Sequence, residues 1–172
     1  MTLEAIKALE QSGLVEDVIL TYPVDNVPQR KGSLSSFNIT VKSIKETQPK
    51  RKTVTDSVWG MDGEYDFSVP KTYSRRSFAI VFNIYEELGD RYEQRNAFVK
   101  WLEGADCRGK TDSFKNSVKL ELSRRKNTYY TNLWVDIGDL QTDSGNKGRF
   151  VSTLAVTIST APRFYKDGEL II

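Results

Sequence analysis

The sequence predicts an α+β fold: mainly an antiparallel β-sandwich or split barrel, with one flanking α-helix at about residues 90–103 and a short N-terminal helix. Three observations predict it. Apolar and polar side chains alternate with period two in Phe78–Ile84, Val118–Leu122 and Leu154–Ile158, the signature of strands with one face in a core. Between the first and second of these, Asp90–Glu103 switches to helical spacing. A length of 172 residues, 38% hydrophobic and 28% charged, suits a single domain over 1–172 that buries a core without disulfide or metal staples.

Taken in order, Thr2 can cap a helix over residues 2–12, with Leu3, Ile6 and Leu9 as its stripe and Gly13 as its stop. Residues 15–22 are β-rich around Val18, Ile19 and Leu20, and residues 23–36, with two prolines and a glycine, read as a loop. Residues 37–44 predict a strand with Phe37, Ile39 and Val41 on one face. Residues 45–56 read as an exposed hairpin tip or long loop, and residues 58–69, with Trp59, Tyr65 and Phe67 broken by Gly60 and Gly63, as an irregular β segment. Residues 73–85 are the strongest strand; Phe78, Ile80, Phe82 and Ile84 face a core, and Ala79 and Val81 suggest cover on the other face too.

In the central helix, Asp90 and Glu93 have capping-box spacing. Gln94, Ala97, Phe98, Trp101 and Leu102 form the inner face, and Gly104 ends the helix. Phe98, Trp101 and Leu102 are the residues expected to pack helix against sheet. Residues 117–122 and 128–137 should pair as a hairpin across a polar turn at Arg124–Asn127. Residues 138–148 read as a turn-rich loop, and 149–159 as a strand with Leu154, Val156 and Ile158 inward. The apolar end Leu170-Ile171-Ile172 is open between a last strand, a contact on a neighbour and a disordered tail.

Composition excludes several chemistries. There is no histidine, so Ser-His-Asp and Cys-His catalysis are out, as are the commonest zinc and iron ligands. Cys107 is the sole cysteine, which rules out an internal disulfide and fits a reducing compartment. Net charge is +2, too small to make the whole chain a magnet for nucleic acid or acidic membrane. No apolar run is long enough to span a membrane. The N-terminus lacks the basic and apolar regions of a secretion signal. No enzyme activity, catalytic residue, metal or cofactor is expected.

Four constellations have both a functional and a plainer reading. Asp136, Asp139 and Asp143 supply oxygen ligands, but without EF-hand spacing, and turn chemistry accounts for them. The basic groups Lys50, Arg51, Lys52 and Arg124, Arg125, Lys126 fall at turns or loops, where they can touch phosphates or simply solvate a hairpin tip. Tyr129, Tyr130 and Trp134 can stack bases or sugars, though core or subunit-interface packing is the favoured reading. Gly145–Gly148 has no P-loop spacing.

The second half carries a resemblance. The segments are a strand Arg75–Ile84, a helix Tyr92–Leu102 ending in Trp101-Leu102, Tyr129-Tyr130-Thr131-Asn132-Leu133, Gly148-Arg149-Phe150 opening a strand, and Ala161-Pro162-Arg163-Phe164-Tyr165. Over about residues 73–166 this order resembles the N-terminal ring domain of the distal tail proteins of long-tailed, non-contractile phages, a domain related to tail-tube proteins. The resemblance implies a structural virion protein. It would form a homohexameric ring that joins the tail tube to the tail tip or baseplate, be assembled in the host cytoplasm, and contact itself, the tail-tube protein and a tip or baseplate hub protein. Phage DNA would pass through the lumen, and no membrane insertion is implied. A tail-tube subunit or other tail-completion protein is the alternative; a small nucleic-acid or carbohydrate-binding module comes after it. The two basic groups and the aromatic stretch would then face an interface or the lumen. Many distal tail proteins continue into a galectin-like domain; this chain stops soon after Tyr165, so that domain and its sugar binding are not expected here.

Overall fold

In the computed structural model, residues 2–52, 55–57, 64–66, 72–143 and 151–171 are described, with backbone alone for 52, 55–57, 64–66, 72 and 143. The chain opens with helix α1 (Leu3–Ser12), capped by the Thr2 hydroxyl and ended by Gly13 at φ 65°. Of its predicted stripe only Ile6 is buried. Strands β1 (Val18–Val24) and β2 (Val27–Gly32) follow, then helix α2 (Ser33–Phe37) and strand β3 (Thr40–Thr47). Short strands β4 (Arg51–Lys52), β5 (Thr55–Ser57), β6 (Glu64–Asp66) and β7 (Thr72–Tyr73) lead to β8 (Arg76–Tyr85). A single 3-10 turn (Glu86–Leu88) precedes α3 (Arg91–Gly104) and α4 (Asp112–Ser117). The chain ends with β9 (Lys119–Leu122), β10 (Thr128–Thr131), β11 (Trp134–Asp143), β12 (Val151–Thr160), β13 (Phe164–Lys166) and β14 (Glu169–Ile171).

Two antiparallel sheets face each other, which makes the α+β fold sandwich-like. One is six-stranded, in the order β14-β13-β10-β9-β1-β2; the other is four-stranded, β11-β12-β8-β3. Phe78, Ile80, Phe82 and Ile84 of β8 and Leu154, Val156 and Ile158 of β12 are at most 2% exposed. They meet Leu120 and Tyr130 of the opposite sheet in a shared core. Each such side chain contributes about 1.5–3 kcal/mol by leaving water. The far face of β8 is not fully covered as expected: Ala79 is exposed and Val81 half-buried.

Several expectations change. Residues 23–36 are not a loop but the second half of a hairpin followed by α2. Asp25 and Asn26, both at positive φ, form the two-residue turn that suits a hairpin's twist. Pro23 and Pro28 are tolerated because they pair with each other, Pro28 on an edge strand where no amide is needed. Phe37 ends α2 instead of opening a strand, and a bulge between Val41 and Ser43 resets the alternation of β3. The stretch 128–137 is two strands in different sheets. Asn132 at φ 55° turns the chain between them, and the buried parity shifts from Tyr130 to Leu133 and Val135. Residues 138–143 belong to β11. The C-terminal segment is a strand at the edge of the six-stranded sheet, joined by an Asp167-Gly168 turn. Of the readings above, most of 58–69, with Trp59 and Phe67, and all of 145–150 lie outside the described residues, as do the side chains of Tyr65, Lys52 and Asp143.

Helix α3 flanks the sandwich. Asp90 caps it, accepting from the amides of Tyr92 (2.8 Å) and Glu93 (3.1 Å). Phe98, Trp101 and Leu102 are 0, 6 and 0% exposed, and Val99 rather than Ala97 completes the buried face. Phe98 packs edge-on against Phe82 with centroids 4.8 Å apart, and Trp101 against Phe37 at 4.9 Å. Gly104 is the last helical residue, not a left-handed stop beyond it. Its reason is contact: a Cβ there would lie 2.7 Å from the Tyr22 hydroxyl, which donates to the Trp101 carbonyl at 2.9 Å. Helix α4, between α3 and β9, is capped by the Thr111 hydroxyl.

Candidate functional site

The most developed polar arrangement lies where the β9–β10 turn meets β3, β8 and β13. It starts from Arg76. The strand alternation that buries Phe78 and Ile80 also turns Arg76 inward, and it is 3% exposed. A buried guanidinium needs partners. Its Nη1 donates to Glu46 Oε1 at 2.5 Å and to Gln48 Oε1 at 2.6 Å, and its Nη2 to the Pro162 carbonyl at 3.3 Å. Its plane lies near the Phe164 ring, 5.0 Å from the centroid.

The second oxygen of Glu46 accepts from Arg125 Nη2 at 2.6 Å, and Arg125 Nη1 donates to the Tyr130 hydroxyl at 2.6 Å. Burial alone would push the Glu46 carboxyl up; the hydrogen bonds from Arg125 and Arg76 outweigh it and hold the group below the usual carboxylate range. Arg125 is raised, chiefly by the same Glu46 bond. One carboxylate thus joins two guanidinium groups from three elements, leaving a net positive charge.

Above this triad is an open cavity of about 520 Å³, walled by Arg124, Arg125, Lys126, Lys166, Tyr130 and Phe164. Smaller recesses adjoin the same turn, one reaching Arg30 and Glu121, another Glu16 and Lys42. Arg124 is anchored through its backbone, its amide donating to Glu16 at 2.9 Å.

The aromatic stretch is divided among three environments. Tyr130 is 1% exposed and packs edge-on against Phe78 at 4.9 Å, so it is core and not a subunit surface. Tyr129 faces the other way, stacked on its cross-strand partner Tyr165 at 4.8 Å and 11°, with Lys119 Nζ 4.6 Å from its centroid. Trp134 starts a strand of the other sheet, is 38% exposed, and lies under the Arg75 guanidinium at 3.8 Å. A single stacking surface of Tyr129, Tyr130 and Trp134 beside Arg124 and Arg125 is therefore not assembled. Lys50 precedes the β4–β7 ribbon, in which Arg51 pairs with Tyr73 and Lys52 with Thr72; the second basic group occupies the β9–β10 turn.

Asp136 is engaged by Arg108, whose Nη2 donates to it at 3.0 Å and to the Val135 carbonyl at 2.6 Å, while its Nε donates to Asp106 at 3.1 Å. Among the described residues no cluster of metal-ligating side chains forms. Cys107 is fully buried, and burial pushes its thiol up, against nucleophilic use.

Sequence reasoning missed Glu46, Gln48, Arg75, Arg76 and Lys166. A signal existed for Arg76: it shares the parity of Phe78 and Ile80, so a charge on the buried face had to find a carboxylate. The identity of that carboxylate had no local signal, because Glu46 lies 30 residues from Arg76 and 79 from Arg125 in the chain.

No protein-family model matches the chain, and no curated protein matches it. Among solved structures it is similar to the SPP1 Dit (gp 19.1) protein, described as a paradigm of hub adsorption apparatus in Gram-positive infecting phages. The TM-score is 0.47 and the identity 12%, over 87% of this chain and 52% of that one. The chain therefore spans about half the length of that protein.

Proposed function

We propose that this chain is a structural, non-enzymatic component of a phage tail, a ring-forming distal tail protein that links the tail tube to the tip or baseplate. The observation that carries this reading is the order of sequence segments in residues 73–166 that resembles distal tail proteins. The described parts of those segments fall on neighbouring pieces of one sandwich: β8 and its ten-residue partner β12, the flanking helix α3, and the paired strands β10 and β13.

The sheet edges support it further. Among the described residues, β11 and β3 end one sheet and β14 and β2 the other, each paired on one side only. A closed ring requires two different, complementary surfaces on each subunit, and unpaired strand edges can supply them by strand addition. Function is then geometric: subunits join, and a channel stays open.

Size-exclusion chromatography with light scattering, together with electron microscopy of tail particles, tests this. The expected result is a ring-sized oligomer, alone or after mixing with tail-tube protein. A chain that stays monomeric and never joins purified tails would sink the proposal.

A further inference from the structure

The cavity beside the β9–β10 turn has more positive charge than the fold needs. Arg125 is committed to Glu46 and Tyr130, which fix its guanidinium in the cavity wall. Among the described residues, the side chains of Arg124, Lys126 and Lys166 make no hydrogen bond or ion pair. Among the described residues, no carboxylate lines the cavity. In a chain of net charge +2, this is a concentrated excess.

The cavity is open, so solvent and salt screen it, and a small free anion would be held weakly. A ligand that gains from it must be tethered through a larger molecule. A nucleic-acid backbone would continue past the cavity, where the unopposed positive charge ends. In one adjoining recess Arg30 is paired with Glu121 at 3.0 Å, in another Glu16 lies with Lys42, and Glu169 is the strand partner of Lys166. A short run of acidic side chains fits a compact positive recess with charge-balanced surroundings; a long phosphate track does not.

We propose that this cavity docks an acidic segment of a partner protein, its carboxylates meeting Arg124, Lys126 and Lys166 beside the preset guanidinium of Arg125. The proposal does not rest on ring formation, and the site is tested on the free chain.

The probe is a fluorescein-labelled hexaglutamate peptide titrated with the full chain and read by anisotropy. Binding should saturate, and should fade as the Debye length shrinks from about 10 Å at 0.1 M salt to about 3 Å at 1 M. The double variant Lys126→Glu/Lys166→Glu should bind about tenfold more weakly or worse, the cost of opposing like charges at a contact. Lys7→Glu/Lys100→Glu, with the same charge change on exposed helix positions, should bind as the wild type does. Lys126→Gln/Lys166→Gln should fall between and guards against a folding defect, which circular dichroism would reveal. Equal loss in the control pair, or no saturable binding, overturns the proposal. So does an oligothymidine of equal charge that binds more tightly than the peptide and is lost in the recess variants, since that would assign the cavity to nucleic acid.

Discussion

Glu46 is half-hidden between Arg76 and Arg125, and removing its charge leaves Arg76 buried without its counter-ion. Breaking such a pair from one side costs more than the pair contributes net, because the remaining charge stays desolvated. Glu46→Gln is expected to lower stability by roughly 2–4 kcal/mol at neutral pH. The pH dependence has a definite sign. The folded carboxyl sits below its ordinary value, and in the unfolded chain it returns to about 4.3. As pH falls the unfolded state therefore takes up the proton first. The stabilisation is complete above the ordinary value and is lost as pH drops through the folded one. Urea denaturation of wild type and variant at about pH 7 and about pH 3 should show the gap closing in acid; a gap independent of pH would count against the ion pairs as its source. At this scale the sequence was readable for Arg76, through parity, and silent on its partners.

Strand β11 was legible at its start and not at its end. Gly138 and the polar residues after it have turn composition, yet the strand continues to Asp143 past an irregularity between Ile137 and Leu140. The glycine serves proximity, since a Cβ at 138 would lie 2.8 Å from the Ala155 carbonyl oxygen on β12. Backbone cannot swing aside as a side-chain tip can. Gly138→Ala should therefore destabilise by about 1–3 kcal/mol, measured by thermal or chemical unfolding, and weaken the pairing of β11 with β12. Unchanged stability would mean that the two strands separate cheaply there. Helix α3 is the opposite case. Its cap, its length and the aromatic residues it buries were all readable locally, because capping and periodicity involve residues within a few positions of one another.

Across the molecule, β8 and β12 are bonded on both sides and supply much of the core, whereas β2 and β14 are edges with mostly exposed side chains. Opening should follow that gradient. Native-state hydrogen exchange is expected to be slowest for the central amides of β8 and β12 and faster in β2, β14 and α1. Equal protection in the edge strands of a monomer would contradict this order. If rings form by strand addition, the edge strands that join should gain protection on assembly while β8 and β12 change little.

By itself the sequence determined the α+β class, the inward faces of β8, β9 and β12, and helix α3 with its cap, and it states that the chain has no histidine. Each depends on composition or on spacing within a few residues, which the chain states directly. The tertiary structure decided that Tyr129, Tyr130 and Trp134 separate into three environments, that prolines 23 and 28 lie in a hairpin, and that the chain changes sheets at Asn132. It also brought Glu46, Arg76, Arg125 and Lys166 to one place. These outcomes depend on which strands become neighbours. Pairing partners are chosen by the packing of the whole core, so no local pattern could name them.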